Sequence, residues 1–320
     1  MEGQEEVPVG ETRPEWFDEA IRKALQPGRF LGSTKEIFRL IRRLEGIQGK
    51  IRGMLKRGRA GEALGFFWIL LQKVLEKAPE LGGSGGAYAH FFEGLFCDWV
   101  RARQAAGADP RETARVYLAW AEKDNWGFFL DLHKNLVSVL DPPGFQAFLW
   151  AVRGKLASMA HGKGREGLGY DRAHWVEVLK CLLAGAGDAG AFLAFCRREG
   201  MNAGDFDALA GILEKQGERV EALAWVEEGL DHFARQGGGF WDCSRLEERK
   251  KRLLHLLGRK REVLALEWKT FQKSPCLSNF QDLMEAAPEE ERPRWRERAL
   301  AVAEKGGLGG ALDLFLGLRE

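Results

Sequence analysis

Apolar residues recur at helical spacing along nearly the whole chain, and stretches of strict alternation flanked by Asn-Gly or Asp-Gly turns are missing. A first helix is predicted from Pro14, carrying Trp16, Phe17, Ala20, Ile21, Ala24 and Leu25 and stopping at Gln26-Pro27-Gly28. A second follows, with Thr34 as its cap and Ile37, Phe38, Ile41 and Leu44 as one apolar stripe; Lys35, Arg39, Arg42 and Arg43 take the opposite face. The segment 60–81 is apolar through Phe66 to Leu71 and reads as a central helix touched on more than one side. Further helices are expected over 88–104, after the Asp109-Pro110 start signal, over 128–140 and over 145–159. Shorter ones are expected over 171–183, 189–199, 205–215, 219–235, 245–257, 261–272, 278–286, 290–304 and 308–318.

Within this pattern one phrase occurs three times. A helix ends on Gly, and four residues later another opens with Glu-(Ala/Val)-Leu: Gly58 before Glu62-Ala63-Leu64, Gly217 before Glu221-Ala222-Leu223, Gly258 before Glu262-Val263-Leu264. Glycine tolerates the left-handed conformation that ends a helix, and a small residue in the next first turn lets two helices pack closely. The chain therefore reads as all-α, a TPR-like solenoid of antiparallel helix pairs. The expected layout is a flexible arm over 1–13, a helical domain over 14–160, a Gly-rich linker over 161–170 and TPR-like repeats over 171–320.

Charge and cysteine content narrow the function classes. Forty-eight basic and 47 acidic side chains leave a formal charge of +1, so any attraction for polyanions must come from local patches. Cys97, Cys181, Cys196, Cys243 and Cys276 are scattered and fit reduced thiols in a cytoplasmic protein. No secretory pattern occupies Met1 to Thr12, and no apolar run approaches a membrane span, so no membrane partner is expected.

Several motifs together resemble an uncharacterised bacterial family of TPR-like helical proteins. They are Gly82-Gly-Ser-Gly-Gly-Ala87, Asp109-Pro110, Trp126-Gly-Phe-Phe129, the Leu257-Gly-Arg-x-x-Glu-Val-Leu264 phrase, Phe271-x-x-x-Pro275, Phe280-x-x-Leu283 and Trp295. The likeness covers roughly residues 34 to 300. Similar repeats accompany SWIM zinc fingers in larger chains, but the finger's Cys-x-Cys and Cys-x-His pairs do not occur in this sequence. The resemblance thus implies the fold and carries over neither zinc nor a nucleic-acid role.

Catalytic chemistry finds little purchase. The six histidines never pair at H-x-x-x-H spacing, no G-x-S-x-G elbow occurs, and Gly162-Lys-Gly-Arg-Glu-Gly lacks phosphate-loop spacing. No catalytic residue, metal or cofactor is expected; His161 and Asp242/Cys243 are the only turn positions where a dispersed enzyme site would be sought. The expected function is a non-catalytic scaffold binding another protein or peptide, with Trp126, Trp241 and Trp295, near turns or helix starts, as candidate anchors. The alternative is nucleic-acid binding through basic stretches at 39–59 and 245–261, carried by Arg39, Arg42, Arg43, Arg249, Lys251, Arg252 and Lys260.

Overall fold

The computed structural model describes residues 15–82, 85–161, 171–235 and 240–305, and among them fifteen α-helices and two 3-10 turns account for the regular structure. The chain parts into two compact units, 1–188 and 189–320. The all-α expectation holds in each.

The first unit contains α1 (Glu15–Leu25), α2 (Thr34–Lys56), α3 (Ala60–Lys77), α4 (Gly85–Ala105), α5 (Pro110–Ala121), α6 (Leu132–Leu136), α7 (Pro142–His161) and α8 (Arg172–Ala186). Its core is aromatic. Phe92 stacks on Phe128 with centroids 5.0 Å apart, Phe96 meets Trp99 at 5.1 Å, and Tyr117 lies 5.4 Å from Phe148. Helix α8 packs on α7 and α6, and Trp175 sits edge-on to Tyr117 at 6.3 Å. The unit therefore ends after α8, past the Gly-rich stretch, of which residues 162–170 lie outside the described residues.

Local expectations are met in most places and shifted in a few. Ser33, one residue before Thr34, caps α2 by accepting from the Glu36 amide, because Thr34 already has helical geometry. The buried stripe of α2 is Ile37, Leu40, Ile41, Leu44, Ile47, Ile51 and Met54; Phe38 falls off it and is 52% exposed. Pro79 ends α3 in a single 3-10 turn at Ala78–Glu80. The helix expected over 128–140 is only the five-residue α6 framed by turns, since Phe128 and Phe129 turn into the core instead of following one helical stripe.

The second unit contains α9 (Ala189–Glu199), α10 (Ala203–Gln216), α11 (Arg219–Arg235), α12 (Phe240–Leu256), α13 (Lys260–Lys273), α14 (Leu277–Ala286) and α15 (Arg292–Lys305). Each helix packs on its successor from α9 to α15, and α10 also reaches α12 while α13 reaches α15. That is how stacked helix pairs are built. Gly229 in α11 makes close packing possible: a Cβ there would meet the Phe206 ring at 2.8 Å and Leu246 at 3.2 Å. The helix expected over 308–318 lies outside the described residues.

The repeated phrase is a repeated structure. Gly58, Gly217 and Gly258 have φ of 79°, 89° and 69°. After each, the next amide reaches back five residues: Arg59 to Met54 O at 3.1 Å, Glu218 to Leu213 O at 2.9 Å, Arg259 to Leu254 O at 3.0 Å. The small residue that follows is buried in every case: Ala63, Ala222 and Val263. In the first and third copies the Arg after the Gly forks onto the Glu three residues on: Arg59 onto Glu62 and Arg259 onto Glu262.

Candidate functional site: two basic helix faces

The two basic stretches named from sequence lie on separate units and have opposite chemistry. On α2, Arg39, Arg42 and Arg43 are exposed, together with Lys35 and Lys56 and with Arg57 at the helix end. None of these six cations forms an ion pair or hydrogen bond with a side chain among the described residues. The other two cations of α2 are engaged. Lys50 lies 4.9 Å over the Trp16 ring. Arg52 donates to buried Asp98, which also accepts from Gln48 Nε2 at 2.7 Å and from Arg101 Nη1 at 2.9 Å. Of the two acids on α2, Glu36 is held by Arg29 at 2.9 Å and Ser33 at 2.9 Å, and Glu45 is exposed.

On α12 the basic residues face carboxylates of neighbouring helices. Arg249 donates to Asp207 and, at 2.9 Å, to Glu214, with all three side chains only 18% exposed. Arg252 also donates to Glu214, Lys250 meets Glu227 at 2.8 Å, and Lys251 bridges Glu267 at 2.7 Å and Asp282 at 3.1 Å. Burial works against the charges of Arg249 and Lys251, yet the facing carboxylates outweigh it and hold both pKa values above their ordinary range. A cleft of about 440 Å³ opens here, lined by Asp207, Arg245, Glu248, Arg249 and Arg252. Its arginines are balanced by acids, so it offers a phosphate little net attraction. Lys260, in the first turn of α13, is exposed.

The tryptophans divide as well. Trp126 stands in the turn before α6, 52% exposed, with its amide donating to Asp124 at 2.9 Å. Trp295 on α15 is half-buried: its indole N–H donates to Glu291 at 3.1 Å, its ring lies 5.4 Å from Trp268, and Arg298 covers both rings. Trp241 belongs to the first turn of α12, and its side chain lies outside the described residues, as do those of His161 and Asp242.

Buried ionisable groups elsewhere hold the fold together. Lys77, 3% exposed, donates to Arg29 O at 2.6 Å, to Gln26 O at 3.2 Å and to Glu80, locking the α1–α2 loop to the end of α3. His133 on α6 is pushed down to about 4 by burial, helped by His174, whose ring is 5.7 Å away. Burial lifts the Cys97 thiol to about 12 and Cys181 to about 11, which keeps both as unreactive thiols. Among the described residues no group of three or more His, Cys, Asp or Glu side chains is gathered as a metal site. No helix there is long and apolar enough to cross a membrane.

Sequence reasoning found the cations and missed Phe38, which it placed in the core stripe. A wheel drawn through Ile37, Leu40, Ile41 and Leu44 puts Phe38 outside that arc, so the signal was present.

No family model matches this chain, and no curated protein matches it. Among solved structures it is similar to a structure of Naa15/Naa10 bound to HypK-THB, with 14% identity, a TM-score of 0.34, and coverage of 90% of this chain and 41% of that one. The chain thus spans less than half the length of that neighbour.

Proposed function

We propose that this chain is a non-catalytic protein-interaction scaffold built from helical repeats, acting in the cytoplasm on another protein or peptide, and that it belongs with the TPR-like bacterial proteins its motifs resemble. The observation that supports this reading is the thrice-used helix–glycine–helix closure and the stacked helix pairs of the second unit. Repeats of this kind present extended surfaces whose specificity is spread over several helices. Nucleic-acid binding is the second reading, and what favours it is the set of unpaired cations on α2. The α12 stretch lends it little, because Arg249, Lys251 and Arg252 already face carboxylates.

The test is capture of the tagged protein from its native host, with and without nuclease, followed by mass spectrometry. A discrete protein retained after nuclease is the expected result. Loss of every partner on nuclease treatment, or recovery of nucleic acid alone, overturns the scaffold reading.

A further inference from the structure

We infer that the exposed face of α2 is a docking surface for an acidic amphipathic helix of a partner protein; the inference rests on the interaction-scaffold reading and names the partner's chemistry. Its basis is uncompensated charge. Lys35, Arg39, Arg42, Arg43, Lys56 and Arg57 project from one helix and its end, exposed and without ion pairs among the described residues. The only acid left over on that helix is Glu45. On other helices many cations are compensated: Arg59, Arg101, Arg115 and Arg249 all meet carboxylates. An exposed row of six cations raises the local potential and selects an anionic partner.

Three features favour a protein helix over a nucleic acid. First, α2 is packed on α1, α3 and α4, so its outer face is a shallow surface, not a projecting rod able to enter a major groove. Second, Phe38 is exposed near the amino-terminal end of this helix. It offers apolar contact there, but no further aromatic side chain of α2 continues along the face as a base-stacking platform requires. Third, Gly46 and Gly49 lie in the middle of the face with nothing within 4 Å of a notional Cβ, so a second helix backbone can come close between the flanking cations. A helix running the roughly 34 Å of α2 would set its carboxylates against these cations and an apolar residue against Phe38.

The experiment uses the full chain and fluorescence anisotropy with three labelled probes: a Glu- and Leu-containing amphipathic helix of about 20 residues, matched in length to α2, an oligothymidylate and a DNA duplex of comparable length. The expected result is that the acidic helix binds more tightly than either nucleic acid. Arg39→Glu/Arg42→Glu/Arg43→Glu should weaken it at least about tenfold, and Phe38→Ala should weaken it about threefold. Lys260→Glu/Arg261→Glu on α13 should leave it unchanged. All these side chains are exposed, and circular dichroism checks that the variants fold. Equal binding by wild type and triple variant, preference for a nucleic acid, or no binding of the acidic helix overturns the inference. The scaffold reading is judged separately: a nuclease-resistant protein partner that the triple variant still captures sinks the α2 surface and leaves the scaffold standing.

Discussion

The α2 and α12 faces carry similar densities of Lys and Arg, yet one holds its charge toward solvent and the other spends it inside the fold. On α12 every basic residue from Arg249 to Arg252 has a carboxylate from α10, α11, α13 or α14 within reach. On α2 the partner helices α1, α3 and α4 lie against the opposite, apolar side, and only Arg52, at the edge of that contact, reaches an acid. Basic content alone therefore does not identify a polyanion site. What matters is whether a helix's polar face is turned toward a neighbour, and helix packing decides that.

The largest effect should come from breaking the α12 network. Arg249→Ala leaves Asp207 and Glu214 facing each other in a poorly solvated place, and we expect a loss of about 2 kcal/mol by urea denaturation, less than for a fully buried pair because some solvent reaches it. A loss no greater than that of Arg42→Ala, expected within about 0.5 kcal/mol, would erase the distinction between the faces.

Acid should separate the units next. His133 is buried neutral with its pKa pushed down to about 4, and His174 is lowered as well, chiefly by burial. For a base whose folded pKa lies below its unfolded value of about 6.5, the unfolded chain binds more protons in between. Stability is full above about pH 6.5 and falls as the pH drops toward 4, by about 1–2 kcal/mol at pH 5. The cations of α12 with raised pKa values do not titrate in that window. Hydrogen exchange at pH 7 and pH 5 should show the first unit loosening around α6 and α8, and His133→Gln should flatten the response. Protection lost first in α12 and α13 would contradict this.

Replacing the shared closure compares the units on equal terms. Gly58→Ala and Gly258→Ala each force an L side chain into left-handed backbone and should cost about 1 kcal/mol. A thermal or chemical melt in which one is silent would mean that the two copies are not equivalent. The smallest effect on stability belongs to the triple Glu variant of α2. It exchanges three neighbouring cations for three neighbouring anions and breaks no pair, so its unfolding free energy should stay within about 0.5 kcal/mol of wild type. A large loss would reveal partners for Arg39, Arg42 or Arg43.

What the sequence determined is what short-range physics controls. Gly58, Gly217 and Gly258 end helices because only the local backbone is involved, and the Asp109-Pro110 start of α5 follows from a cap and a ring within one turn. The arginines of α2 and α12 were legible as candidates for the same reason: a residue's charge is written in the chain. Only the tertiary structure decided which of those charges is available. The acids that neutralise Arg249, Lys251 and Arg252 all belong to other helices, up to 42 positions away along the chain. Packing likewise shortened the 128–140 helix to α6 and drew α8 into the first unit through Trp175 and Tyr117. Each of these depends on which face of one helix another covers, and residue spacing within a single helix carries no record of that.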